Sequence, residues 1–229
     1  MKNEKLLKEL RSRTNALRKR HWNNELKIYK TINEITHEVI ENFYIQQNRK
    51  ITFPVDIRGI VESYGIKITE AYLNLDTGFQ IERINGRIVY ADNGECEIRL
   101  EYMDNENVKR YMLAHEFAHF LMGDKENNNC IDPLFPSNCE EIIADIMAAY
   151  LLFPYELVLM RMRSYVEYMK KSNIYPMDSA SWLRALGDSA QVSSYHTIMC
   201  YQWIRIYLYY LYSHSNSFVT SEEFQCLFK

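Results

Sequence analysis

The segment His115-Glu116-Phe117-Ala118-His119 sets the strictest condition on the fold of this chain. Residues four apart on an α-helix lie one turn above each other on the same side, so the imidazoles of His115 and His119 can reach one metal ion. Glu116 lies beside them, where its carboxylate can contact a metal-bound water without binding the metal. We therefore interpret H-E-x-x-H as the zinc-hydrolase pattern of two metal ligands and one general base.

The residues around this motif argue against a chance match. Residues 108–122 are predicted to form a helix that is apolar on nearly every side, through Met112, Leu113, Ala114, Phe117, Ala118, Phe120, Leu121 and Met122. A helix that is apolar all round is buried. Two histidines and a glutamate in a buried helix are costly unless they are paired or bind a metal. Zinc binding is thus favoured over histidines that are hydrogen-bonded in an ordinary core.

A catalytic zinc ion usually has three protein ligands and an open position, so a third donor is needed. The best donors lie at the acidic start of a predicted helix that begins near Glu140. Glu141 is predicted as the ligand, with Glu140 as the alternative. Asp145, one turn further on the same face, can accept the free N–H of a ligand histidine and hold its tautomer. The small residues Ala144 and Ala148 let this helix approach the histidine helix closely.

The other histidines and the cysteines have no comparable arrangement. Four histidines lack a companion at ligand spacing and are predicted to be structural or exposed: His21, His37, His196 and His214. The five cysteines are irregularly spaced and no secretory signal precedes them, which favours reduced thiols in a cytoplasmic protein. Cys130 and Cys139 flank a polar loop and are interpreted as free thiols, with a regulatory disulfide as the alternative.

The remainder of the chain predicts an α+β protein with helical extensions at both ends. Helices are expected over 4–20, from Asn24 to about Gln47, after the N-cap Asp56, and near 155–171, 179–187 and 190–212. Strands are expected over 66–72, 79–84, 87–90 and 96–102. We expect three regions: a basic N-terminal extension (1–50), a metallopeptidase core (51–155) and a C-terminal helical region (156–229).

The strands predict a small, mostly antiparallel sheet that packs on the histidine and glutamate helices. Asn85-Gly86 separates two alternating segments and indicates a hairpin with a type I′ turn. Residues 1–30 carry ten Lys and Arg against three Glu. A solvated helix face explains that charge better than nucleic-acid contact, so direct binding to nucleic acid is not expected. No stretch reaches the 18 apolar residues of a membrane span, and no membrane association is expected.

Two segments together resemble the ImmA/IrrE family of metallopeptidases. The first is Arg110-Tyr-Met-Leu-Ala-His115-Glu116-Phe-Ala-His119, and the second is Glu141-x-x-Ala144-Asp145-x-x-Ala148-Ala149-x-Leu151-Leu152-x-Pro154. The resemblance covers about residues 53–155 and implies a minimal, gluzincin-like fold. It implies that His115, His119 and Glu141 bind zinc and that Glu116 is the catalytic base.

The resemblance also implies a function in bacteria or phages. Members typically cleave a helix-turn-helix transcriptional repressor and so release genes of a stress or mobile-element response. We therefore expect a zinc-dependent endopeptidase with a specific protein substrate. Manganese is compatible with the same ligands. The oxyanion needs a donor beside the metal, and the candidates are Tyr150, Tyr155, Tyr195 and His196.

A non-catalytic binding protein is the alternative function. Residues 198–212 form a predicted helix that is aromatic or apolar around most of its circumference, and such a surface is buried either in its own core or against a partner. In that case the zinc site would be structural or vestigial and the protein would sequester a regulator. Glu116 argues against this reading, because a structural zinc ion has no use for a general base.

Overall fold

The computed structural model describes residues 4–18, 25–73, 85–123, 139–173 and 179–214. In chain order, these residues form α1 (Glu4–Arg18), α2 (Glu25–Gln46), α3 (Ile57–Ser63), β1 (Lys67–Ala71), β2 (Gly86–Tyr90), β3 (Cys96–Glu101), α4 (Glu106–Met122), α5 (Cys139–Leu152), α6 (Tyr155–Lys171), α7 (Ser179–Ala190) and α8 (Ser194–His214). The predicted α+β class, with helical N- and C-terminal parts, is confirmed.

Short-range signals account for the ends of the helices near the site. The side chain of Asp56 accepts a hydrogen bond from the backbone N–H of Gly59 at 3.0 Å and caps α3. Asn105 caps α4 by accepting from the N–H groups of Asn107 and Val108 at 3.1 and 3.2 Å. Gly123 ends α4 with φ of 77°, a left-handed conformation that glycine adopts without strain. The cap at Asp56 agrees with the sequence-based prediction.

The described strands form a mixed sheet in the order β1-β3-β2. β3 pairs antiparallel with β2 and parallel with β1. Its side chains alternate, so that Ile98 and Leu100 are buried whereas Glu97 and Arg99 face outward. The buried face packs on α4, which places the central strand directly behind the histidine helix.

The predicted type I′ turn at Asn85-Gly86 is wrong. Gly86 is the first residue of β2, in register with Leu100, and its φ lies outside the left-handed region that such a turn requires at both central residues. The carbonyl of Asn85 accepts a hydrogen bond from the N–H of Glu101 at 3.0 Å, which continues the ladder. The partner strand expected over 79–84 lies outside the described residues. The small size of glycine at this position leaves room for the side chain of Glu116.

One buried cluster joins the helices of both extensions to the central part of the chain. α5 lies in the middle of it and packs against α4 on one side and against α2 and α8 on others. The predicted apolar stripe of α2 is buried in this cluster, through Ile28, Ile32, Ile35, Val39 and Phe43. α8 contributes Cys200, Ile204 and Leu208. Burial of this kind stabilises the arrangement of α4 and α5 from both ends of the chain.

Among the described residues, no single helix is both long and apolar enough to cross a membrane. The consecutive helices Glu140–Leu152 and Tyr155–Lys171 reach that length and composition only as a pair, bent by 54°.

Candidate metal centre

The contact between α4 and α5 brings the predicted ligands together. His115 and His119 lie on the side of α4 that faces the first turn of α5, which contains Glu141. The small residues predicted to allow close approach, Ala144 and Ala148, are completely buried. Since neither carries atoms beyond Cβ, the two helix backbones can lie near enough for one ion to be shared across the interface.

Two imidazole nitrogens and the two carboxylate oxygens of Glu141 converge at this interface. Nε2 of His115 lies 3.2 Å from Nε2 of His119 and 3.1 Å from Oε2 of Glu141, and Nε2 of His119 lies 3.4 Å from Oε1 of Glu141. Ligands about 2.0–2.1 Å from a tetrahedral zinc ion are separated from one another by about 3.3 Å. The two nitrogens are therefore at the spacing of such ligands, and each of them lies close to one oxygen of the Glu141 carboxylate.

The chemistry of the donors fits a divalent cation as well. Contacts with His115 and His119 lower the pKa of Glu141 below its ordinary value, so that its carboxylate is a ready ligand. Two imidazole nitrogens and one carboxylate are the ligand set of many catalytic zinc sites. Both histidines are partly buried and Glu141 is exposed, so the group opens toward solvent on one side. Water and a substrate can reach it there.

Of the two glutamates left open by the sequence, Glu141 is the one that joins the histidines. Its oxygens contact both imidazoles, and it completes the group of three possible ligands found in the described part of the chain. Glu140, the preceding residue, points in a different direction because consecutive helical residues are rotated by about 100°. The assignment of these side chains as metal ligands remains a prediction, and the geometry supports it.

Glu116 lies beside the ligand group, against the edge of the sheet. A Cβ atom at Gly86 would stand 2.8 Å from Cγ and 2.9 Å from Oε1 of Glu116, closer than side chains approach. Only glycine therefore lets β2 pass so near this carboxylate. Burial raises the pKa of Glu116, and the neighbouring His115 and His119 oppose that shift. A carboxylate with a raised pKa is suited to taking up and releasing a proton near neutral pH.

Asp145, predicted to hold the tautomer of a ligand histidine, contacts the far side of His115. Its Oδ1 lies 2.9 Å from Nδ1 of His115, an ion-pair contact rather than a well-aligned hydrogen bond. Burial alone lowers the pKa of His115, but the contacts with Asp145 and Glu141 outweigh it and raise that pKa to about 9. With Nδ1 against Asp145, the Nε2 atom of the same ring faces His119 and Glu141.

Tyr111 is a residue of this site that sequence reasoning did not identify. Its hydroxyl donates a hydrogen bond to Oδ1 of Asp145 at 2.7 Å, and its ring is buried. The signal for it was present, because Tyr111 precedes His115 by four residues and so lies on the same face of α4.

The four oxyanion candidates divide into two pairs. Tyr150 follows Glu141 by nine residues, half a turn around α5, and packs with Tyr155 around the ring of Tyr207 in the core. His196 instead stacks on Tyr111, with ring centroids 4.2 Å apart, and Tyr195 lies beside it and is 71% exposed. The second pair is therefore the one on the side of the ligand group.

The remaining histidines and cysteines named from the sequence lie away from the metal centre or outside the described residues. His37 on α2 contacts Glu41 at 3.4 Å and Glu156 at 3.2 Å, a structural role that ties α2 to α6. His21 and Cys130 fall outside the described residues, as do the side chains of Cys139 and His214. The alternative disulfide between Cys130 and Cys139 therefore stays a prediction.

Comparison with known proteins agrees with this geometry. The family model of Peptidase M78, described as the IrrE N-terminal-like domain, matches residues 62–184, which is more than half of the chain. The match begins within α3 and ends within α7, and it contains all of α4 and α5. No curated protein matches the chain.

Proposed function

Because this chain belongs to the Peptidase M78 family of IrrE N-terminal-like domains, we propose that it is a zinc-dependent endopeptidase that cleaves a specific protein. One observation carries the proposal: the nitrogens of His115 and His119 and the carboxylate of Glu141 lie within 3.1 to 3.4 Å of one another, with Glu116 beside them. A binding protein needs no such combination of an open ligand group and an adjacent base.

In this proposal His115, His119 and Glu141 hold the metal. A zinc ion bound there supplies Lewis-acid chemistry, which acidifies water and polarises a peptide carbonyl. Glu116 accepts a proton from the attacking water at its carboxylate and delivers that proton to the leaving amine. The raised pKa of Glu116 favours this double role, because the carboxylate can hold the proton between the two transfers.

The negative charge that develops on the carbonyl oxygen requires a donor nearby. We assign this task to the pair Tyr195 and His196 at the start of α8, in preference to Tyr150 and Tyr155, which are engaged in the core. Tyr195 has an exposed side chain that can turn toward a bound peptide. His196 is partly fixed by its stacking on Tyr111.

The proposed substrate is a helix-turn-helix transcriptional repressor, cleaved in a stress or mobile-element response. The support for this is the resemblance of residues 110–154 to the ImmA/IrrE metallopeptidases together with the family match. The exposed position of Glu141 is compatible with a protein substrate, since an extended segment can reach the ligand group from solvent.

Metal content of the purified protein is the first test. We expect about one zinc ion per wild-type chain and loss of that ion in both His115→Ala and Glu141→Ala, because each removes one of three ligands. Glu140→Ala is the matched control and should retain zinc. A wild-type protein that binds neither zinc nor manganese after metal reconstitution would overturn the proposal.

Activity is tested by comparing wild type with Glu116→Gln. This substitution keeps the shape of the side chain and should leave zinc in place while abolishing proton transfer. In cells that produce either form, mass spectrometry of protein N-termini should detect new N-termini only with the wild type, in one or a few proteins. A repressor among them would identify the substrate. Identical N-termini in both would favour a protein that sequesters its partner without cleaving it.

A further inference from the structure

We propose that Tyr111, held in place by His196, is a positioning residue of the metal centre: its hydroxyl fixes Asp145, and Asp145 in turn fixes the imidazole of His115. The inference rests on the proposed metal site and deepens it. The ring of Tyr111 also lies beside that of His115, with centroids 6.2 Å apart, so Tyr111→Phe keeps this ring contact and tests only the route through the aspartate.

A single carboxylate oxygen makes both contacts. Oδ1 of Asp145 accepts the hydrogen bond from the hydroxyl of Tyr111 at 2.7 Å and lies 2.9 Å from Nδ1 of His115. The three groups thus form a continuous polar chain that ends at a predicted ligand. Outer partners of this kind orient ligand histidines and set their basicity.

Packing alone does not immobilise Asp145. Its side chain is 30% exposed, so the carboxylate can rotate toward solvent unless a hydrogen bond holds it. Tyr111 is 3% exposed, and its rigid ring lies on the same helix as His115, one turn earlier.

His196 fixes Tyr111 from the other side. The two rings are stacked with centroids 4.2 Å apart and planes inclined by 20°. The imidazole is itself held, because Oγ of Ser193 lies 2.7 Å from its Nδ1. Ser193 and His196 both lie beyond residue 184, where the family match ends. The start of α8 therefore braces the metal centre from a part of the chain outside the recognised domain.

Zinc affinity, measured by competition with a chromophoric chelator, tests this chain of contacts. Tyr111→Phe removes one oxygen atom and should weaken zinc binding about ten-fold, the lower end of the effect known for outer partners of metal ligands. His196→Ala removes the stacked ring and should weaken binding in the same direction by a smaller factor. In the cobalt-loaded protein, Tyr111→Phe should also change the visible absorption, which reports the geometry of the ligands.

The control and the mutant cycle separate positioning from general stability. Tyr64 is also buried against α4, where it packs on Phe117 and Phe120, so Tyr64→Phe should retain wild-type affinity. In an Asp145→Ala background, Tyr111→Phe should have no further effect, because its route to His115 is gone.

If every folded variant of Tyr111 and His196 binds zinc with wild-type affinity, this inference is overturned and the proposed function still stands. The same conclusion follows if Tyr111→Phe weakens zinc binding equally with and without Asp145. A wild-type protein that binds no zinc would overturn the proposed function and, with it, this inference.

Discussion

Gly86 of β2 and Glu116 of α4 approach so closely that a Cβ atom on the glycine would lie 2.8 Å from Cγ of the glutamate. The edge of the sheet thus limits where the carboxylate of Glu116, the proposed base, can lie. Because β2 is paired with β3, it cannot move away from Glu116 without breaking its hydrogen bonds to β3. The position of Glu116 depends on the absence of a side chain at residue 86.

Gly86→Ala should therefore impair cleavage while leaving metal binding intact. The added methyl group displaces the Glu116 carboxylate, and misplacement of a catalytic group by about 1 Å can cost on the order of a hundred-fold in rate. We expect a fall of about ten- to a hundred-fold in cleavage of the identified substrate, at unchanged zinc content. Arg87→Ala, at the exposed neighbouring position, should cleave normally. Full activity of Gly86→Ala would show that Glu116 tolerates the displacement.

Ala148→Leu should separate the two helices of the metal centre. Ala148 is completely buried on the face of α5 that also carries Glu141, and a larger side chain there must push α4 away. Overpacking of this kind costs about 1–3 kcal/mol of unfolding free energy. Urea unfolding should detect that loss, together with reduced zinc content. Ala16→Leu makes the same change at an exposed position of α1 and should have little effect on either measurement.

Removal of zinc should lower the stability of the wild type but not of His115→Ala. A ligand that binds only the folded state adds about 2.7 kcal/mol when its free concentration is a hundred times the Kd. Thermal unfolding in zinc-buffered solution should therefore shift upward relative to a chelator-treated sample. In His115→Ala the two curves should coincide. A matching shift in that variant would mean that zinc stabilises the fold from another site.

The contact between His37 and Glu156 should make stability depend on pH. A hydrogen bond with Glu156 raises the pKa of His37 above 6.5, an effect that burial opposes and that the charges of Glu156 and Glu41 assist. A raised folded-state pKa means that the stabilisation is fully present below about pH 6.5 and is lost as pH rises through the folded-state value. Wild type should therefore lose more unfolding free energy than His37→Gln between pH 6 and pH 9. Parallel pH dependence in the two proteins would contradict this prediction.

Much of the fold was readable from short stretches of sequence. The helix at the histidines and the cap Asp56 were predicted, because helical periodicity and capping depend on residues only a few positions apart. The relative placement of His115, Glu116 and His119 was likewise given by helical geometry alone. The family resemblance was carried by the same local motifs and agrees with the match over residues 62–184.

The tertiary structure decided everything that depends on contacts between distant residues. Asn85-Gly86 has the composition of a turn, and only the packing of β2 against Glu116 shows why a glycine stands there instead. The sequence favoured Glu141 and kept Glu140 as the alternative, and the approach of α5 to α4 brings Glu141 to the histidines.

Tyr111 and His196 show the same limit most clearly. They are 85 positions apart in the chain, and nothing in the sequence shows that they meet. Their stacking and the hydrogen bond to Asp145 exist only because α4, α5 and α8 share one core. Local sequence thus determined which side chains face the proposed metal on α4, and the packing of three helices decided which other side chains hold them there.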